Sequence, residues 1–144
     1  MKEAASLVGV QLYPAPVNTT GEIDRVFDSL AAASNIGLVV PPDTFTTAHR
    51  NRIVTLANEH RVPAVYSVPI FTAAGGLMSY GSDIVELVRL TATYVDRVLR
   101  GASPQQLPVQ SSSKFKLVIN LRTARMLGLA VPSTLLARAD EVVE

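Results

Sequence analysis

The sequence predicts an α/β domain: an open parallel sheet with helices on both faces, formed as one domain over residues 1–144. Three observations predict it. Between residues 7 and 68 the patterns alternate strand, helix, strand, helix, strand with short connections, which favours parallel pairing through crossover helices. The run Ile36–Val40 is apolar throughout, as a strand covered on both faces is. The composition, 144 residues with 48% hydrophobic and 17% charged, gives a globular chain long enough to bury a core.

Taken in order, Leu7–Tyr13 reads as a strand that Pro14 and Pro16 close. Thr19-Thr20-Gly21-Glu22 has capping-box spacing, and the helix behind it sets Ile23, Val26, Phe27 and Leu30 on one face. Asn35 and Gly37 stand near its end, followed by the strand Ile36–Val40. Pro41-Pro42-Asp43-Thr44 opens a second helix, capped by Asp43 or Thr44, with Ile53, Leu56 and Ala57 inward. Pro63 marks its exit into a third strand, Ala64–Val68.

Ala73–Asp83, AAGGLMSYGSD, is a glycine-punctuated joint between that strand and a long helix. Gly75 and Gly76 permit backbone angles other residues resist, Gly81 ends the run Leu77–Tyr80, and Ser82 is placed to cap the helix. The helix Asp83–Arg100 carries the stripe Ile84, Val88, Ala92, Val95 and Leu99 and an i,i+4 pair, Asp96 with Arg100. Gly101 and Pro104 stop it, and Gln105–Ser113 reads as a polar loop. Phe115–Ile119 alternates like a strand. Asn120 caps a helix over Leu121–Leu127, Gly128 suits its left-handed end with Leu129 folding back, and Pro132 starts a last short helix.

The residue inventory argues against most chemistry. Net charge is +1, and the basic residues form no dense face, so no nucleic-acid partner is expected. Cysteine is absent, which removes disulfides and thiolate catalysis. His49 and His60 lie eleven positions apart, about 16 Å along one helix at 1.5 Å per residue, too far to share a metal. No G-x-S-x-G elbow, G-x-G-x-x-G turn or P-loop occurs. Asp140, Glu141 and Glu144 cluster where solvation explains them. No enzyme, cofactor or metal site is therefore expected.

A binding site fits better. In open parallel sheets ligands sit beyond the carboxyl ends of the strands, here Tyr13–Pro16, Pro41–Phe45 and Ser67–Gly76. Asp43 is the carboxylate there, able to meet an α-ammonium; as a plain helix cap it would be equally at home. Amide groups at the start of that helix could hold a carboxylate. Phe45, Phe71 and Tyr80 could enclose an apolar ligand, or could simply pack the core. The Gly75-Gly76 pair fits a hinge or a cleft wall, or an ordinary tight turn.

Three stretches carry a resemblance. They are LVVPPDTFTTAHRNRIVTLANEHRVPAVYS, AAGGLMSYGSD, and YVDRVLRGASPQQLPVQSSSKFKLVINLRTARMLGLAVPSTLLARADEVVE. The G-A-x-P-x-x-L-P-V and L-V-I-N-L-x-T-A-x-x-L-G-L runs are specific in combination. In this order they resemble the substrate-binding proteins of ABC transporters, in the branch that includes the tryptophan-binding type. The resemblance implies a type I periplasmic-binding-protein fold, two α/β lobes closing on a ligand by a hinge. By position in the motifs it implies that Asp43 and Thr44 belong to the ligand-facing turn of the second lobe. It implies that Phe71, Gly75, Gly76, Ser79 and Tyr80 form hinge and cleft wall.

The chain matches the family's second lobe and C-terminal tail; the first lobe and the export signal or lipoprotein anchor have no counterpart. The expected function is solute binding, of an amino-acid-like or aromatic ligand, with an ABC permease as partner if a first lobe is supplied. The resemblance places the protein in the periplasm or otherwise outside the cytoplasm, whereas the sequence as written would stay in the cytoplasm. The Asp83–Arg100 stripe, without its usual sheet, is expected to pack across a homodimer or fold back on its own lobe. Two other readings stay open: a remnant acting only as a dimeric interaction domain, and a small flavodoxin-like enzyme or regulator.

Overall fold

Among the described residues, five strands make a single sheet whose spatial order is the chain order. The computed structural model describes residues 2–31, 33, 35–110 and 114–144. The elements are α1 (Lys2–Leu7), α2 (Thr20–Ala31), β1 (Leu38–Val40), α3 (Thr44–Ala48), α4 (Arg50–Glu59), β2 (Ala64–Tyr66) and α5 (Pro69–Ala73). They continue with β3 (Met78–Ser82), α6 (Ile84–Leu99), a 3-10 turn at Pro104–Gln106, β4 (Phe115–Asn120), α7 (Leu121–Met126), α8 (Ser133–Leu136) and β5 (Glu141–Val143).

The α/β class holds, with a sheet that is mostly parallel. The pairs β1–β2, β2–β3 and β4–β5 are parallel. The pair β3–β4 is antiparallel, with Ser82 opposite Phe115 and Met78 opposite Ile119. The wholly parallel sheet is thus corrected at one seam. The chain leaves the sheet at Asp83, makes α6, and returns beside its point of departure, so the incoming strand must run the other way.

One face of β1 and β2 carries the core. Val40, Ala64 and Tyr66 are buried there against Ile23 and Phe27 of α2, Ile53, Val54 and Ala57 of α4, and Phe71 of α5. The capping box forms as its spacing predicts. Glu22 Oε2 accepts from the Asn18 and Thr19 amides at 2.7 and 3.0 Å, and the Glu22 amide donates to Thr19 Oγ1 at 3.3 Å. These contacts hold the Glu22 carboxyl below its ordinary range, the Asn18 amide foremost. Arg52 of α4 clasps Asp24 of α2 with two hydrogen bonds, 2.8 and 2.6 Å, and this keeps the Asp24 carboxyl low as well.

Several elements differ from expectation, each for a local reason. Leu7 ends α1; Gly9 turns the chain at φ +69°, and the residues of Val10–Val17 join no strand. The alternation of Leu7–Tyr13 needs a neighbouring strand to become β structure, and none reaches it. The second helix is two, α3 and α4, divided at His49, whose φ −99° and ψ 18° leave the helical region. The joint Ala73–Asp83 holds more order than a turn: α5 precedes the glycines and Met78–Ser82 is a strand.

Asp83, rather than Ser82, caps α6, its Oδ1 accepting from the Val85 amide at 2.9 Å. The acidic end of the chain forms β5, where Glu141 holds Lys116 at 2.7 Å. Asn120 caps α7 by accepting from the Thr123 amide, and Gly128 takes φ +72° as expected. The Asp96–Arg100 pair is present at 2.9 Å. The expected loop Gln105–Ser113 lies partly outside the described residues.

Among the described residues, helix α6 does not fold back on the sheet and buries no residue. Val88 and Leu99 are 62% and 82% exposed. That removes one of the two covers expected for its stripe.

Candidate functional site at the carboxyl edge of the sheet

The turn Pro41-Pro42-Asp43 leaves the carboxyl end of β1 and is shaped by its prolines, which cannot donate to a ladder. Asp43 takes extended angles, φ −153° and ψ 143°, and its Oδ1 accepts from the Thr46 amide at 2.9 Å. This is an N-cap, so the helix-capping role is filled. Asp43 remains exposed and makes no ion pair among the described residues, and its second carboxylate oxygen is free to accept. Thr44, the first residue of α3, is exposed beside it. Phe45 is half-buried, packed on the core on one side and 4.3 Å from the His49 ring. His49 Nδ1 lies 2.9 Å from the Phe45 carbonyl oxygen, which fixes the ring where the two helices part.

Next along the edge, Ser67 follows β2. Its amide donates to the Val40 carbonyl at 3.1 Å, tying this turn to β1. Its hydroxyl is closed from solvent and has no hydrogen-bond partner. Residue 81 presses against it: a Cβ added to Gly81 would stand 1.9 Å from the Ser67 carbonyl oxygen. Only glycine fits there, and its absence of a side chain lets β3 approach the turn after β2. Tyr80, one residue earlier, is 55% exposed and stacks on Phe115 at 5.5 Å. With adjacent strands about 4.8 Å apart, the turn after β1 and the end of β3 stand on the order of 10 Å apart across this edge.

The eight sequence-predicted residues therefore divide. Asp43, Thr44, Phe45 and Tyr80 reach the carboxyl edge. Phe71 and Ser79 are buried in the lobe, 1% and 0% exposed, Phe71 stacked on Tyr66 at 4.6 Å. Gly75 and Gly76 lie at the other end of the sheet, because α5 carries the chain back before β3 begins. Gly75 takes φ +99° just past the end of α5, and its carbonyl accepts from Asn58 Nδ2 and Thr123 Oγ1. A Cβ on Gly76 would meet Tyr66 Cε2 at 2.6 Å. These glycines serve packing and turn geometry at the amino end of β3, away from the carboxyl edge. Two adjacent glycines are a conspicuous signal, whereas Gly81 and Ser67, which do meet at the edge, carry the weaker one of a lone glycine and a post-strand serine.

Burial raises the Tyr66 hydroxyl well above the ordinary tyrosine range, so Tyr66 stays neutral and contributes no charge. Nothing among the described residues forms a group of three potential metal ligands. The edge offers one carboxylate, hydroxyls and rings: groups that hold an organic ligand by charge, hydrogen bonds and stacking.

The model of the family "ABC transporter substrate binding protein" matches residues 1–143. A tyrosine-binding protein of Clostridioides difficile is 25% identical over 113 residues, covering 78% of this chain and 32% of that one. An ABC domain from Streptococcus pneumoniae in complex with L-Trp superposes with TM-score 0.87 at 27% identity, over 99% of this chain and 49% of that one. A conserved domain protein from Vibrio cholerae superposes with TM-score 0.87 at 26% identity, over 98% of this chain and 47% of that one. The chain spans about a third to a half of the length of these proteins. It belongs to the ABC transporter substrate binding protein family.

Proposed function

We propose that this chain is one lobe of a solute-binding protein of an ABC import system, and that it recognises an amino acid with an aromatic side chain. The observation that carries the reading is the placing, at one edge, of an exposed carboxylate without an ion pair and an exposed ring: Asp43 and Tyr80. An α-amino acid presents the complementary set. Its ammonium pairs with Asp43, and its ring stacks toward Tyr80 and Phe45. The bound amino acids named for the tyrosine-binding and L-Trp-bound relatives agree with that chemistry. A second lobe would close over the edge and exclude water, and the closed pair would engage a permease outside the cytoplasm.

Calorimetric titration with L-tryptophan and L-tyrosine tests this. Saturable binding in the micromolar range is expected, and Asp43→Asn should weaken it about tenfold, about 1.4 kcal/mol. Asparagine caps a helix as well as aspartate does, so the melting temperature should hold while affinity falls. Absence of saturable binding to either amino acid would overturn the ligand reading.

A second reading is favoured by α6. Its stripe of Ile84, Val88, Ala92, Val95 and Leu99 is buried by no other described part of the chain. Each large apolar side chain brought out of water contributes about 1.5–3 kcal/mol, so a matching surface would be covered strongly. In the isolated chain a second copy supplies that surface and the protein is a homodimer through α6. Light scattering decides it: a monodisperse monomer sinks this reading and leaves the ligand site untouched.

A further inference from the structure

From Asp43 to Glu59 the chain carries neither proline nor glycine, yet α3 ends at Ala48 and α4 begins at Arg50. Between them His49 takes φ −99° and ψ 18°, well away from the helical ψ of about −42°. A helix that parts without proline or glycine commonly does so where a side chain enters its hydrogen-bond ladder.

The His49 imidazole is placed to do this. Its Nδ1 lies 2.9 Å from the Phe45 carbonyl oxygen, the acceptor that the His49 backbone amide also uses, at 3.1 Å. A carbonyl oxygen has no proton to give, so Nδ1 carries the proton and donates. Two donors of one residue thus share one carbonyl, and side-chain bonding of this kind to the carbonyl four residues back bends helices. The same imidazole lies against the Phe45 ring, with centroids 4.3 Å and planes 37° apart. Phe45 also packs on the core, so its ring is held from within and by residue 49. Arg50 reaches this turn as well, its Nη1 donating to the Thr47 carbonyl over a longer 3.3 Å.

We propose that His49 is a positioning residue: it turns α3 out of line with α4 and so sets Asp43, Thr44 and Phe45 at the carboxyl edge. A helix running unbroken from Thr44 to Glu59 would carry those residues along the axis of α4 instead. His49 acts through the Phe45 carbonyl and ring, not by contact with a ligand. A site held in place before the ligand arrives binds it more tightly, because less ordering remains to be done on binding. The consequence for affinity rests on the ligand reading above; the effect on the backbone does not.

Three variants of the full chain test it. His49→Leu removes the donor and favours helix more than histidine does. His49→Asn keeps a donor at the place of Nδ1 without the ring. Arg50→Leu removes the other side chain that reaches this turn. Backbone chemical shifts, read by NMR, report whether residue 49 is helical, and calorimetry with L-tryptophan reads the site. In His49→Leu residue 49 should become helical, and affinity should fall about tenfold while the melting temperature holds or rises, a split that loss of mere packing does not produce. His49→Asn should keep both the break and the affinity, and Arg50→Leu should keep the break. In mildly alkaline buffer the ring nitrogen shifts of the wild-type chain should show Nδ1 as the protonated nitrogen. The proposal is overturned if residue 49 stays non-helical in His49→Leu, if that variant turns helical and binds L-tryptophan as the wild type does, or if Arg50→Leu alone closes the break. It is equally overturned if His49→Asn binds as weakly as His49→Leu. If the wild-type chain does not bind L-tryptophan, the ligand reading falls, and the shifts at residue 49 still decide whether His49 sets the break.

Discussion

Helices α2 and α6 carry apolar stripes of similar regularity, yet the first is half of a core and the second lies open. On α2, Ile23 and Phe27 are both 2% exposed, pressed on β1 and α4. On α6, no residue is buried, although Asp83 caps it well and Asp96 pairs with Arg100 along its surface. The difference is not in the helices. It lies in what the chain supplies opposite them: α2 has a sheet and a neighbouring helix, whereas α6 has left the sheet altogether. A periodic stripe predicts that a face wants cover; it does not say that the cover belongs to the same residues.

That contrast can be broken by mutation. Phe27→Ala should destabilise the chain by about 3–5 kcal/mol in urea denaturation, as removal of a core ring does. Gly81→Ala should cost about 2–3 kcal/mol, since the new Cβ has backbone, not a movable side chain, 1.9 Å away. Val88→Ala on α6 should change the stability of a monomer by less than about 0.5 kcal/mol, while any dimer seen by light scattering should weaken measurably. A large monomer effect at Val88 would show that α6 is packed after all and would erase the contrast.

The smallest effect concerns acid. Glu22 and Asp24 are held below their ordinary values, 4.5 and 3.8, the first chiefly by the Asn18 amide and the second chiefly by Arg52. A depressed carboxyl favours the folded state while charged, so this contribution is complete above about pH 5 and is lost as pH falls through the lowered values. Both groups are partly open to solvent, which screens them, so the loss should be slight: a small drop in melting temperature between about pH 5 and pH 3. Glu22→Gln should flatten part of that slope. If the slope stays the same in that variant, the capping box is not its source.

Much of the packed region was legible. The capping box at Thr19–Glu22, the Asp43 cap and the strands around Val40 and Tyr66 follow from local chemistry that the sequence states directly. What was not legible depended on neighbours. Leu7–Tyr13 has the residues of a strand and no partner, so its backbone cannot join a ladder. Met78–Ser82 has few strand-forming residues, yet forms β3 because β2 and β4 hold it on both sides. Glu141–Val143 reads as a solvated tail and becomes β5 through pairing with β4 and the Lys116 contact. Arg52 finds Asp24 from 28 positions away.

The candidate site was half legible for the same reason. The turn after β1 declared itself through its prolines and Asp43. The position of Gly75 and Gly76 could not be known without α5, the short helix that turns the chain back before β3.

The departure and return of α6 also have an architectural consequence. Ser82 faces Phe115, and the Asp83 amide donates to the Lys114 carbonyl at 3.0 Å. The described residues between Asp83 and Lys114 therefore leave and rejoin the sheet at one doorway, with both posts already joined. Such a doorway can be closed by a tight hairpin, or opened onto a different appendage, with the strands on either side left where they stand. The sheet is in that sense a cassette, able to keep its carboxyl edge while the appendage is exchanged.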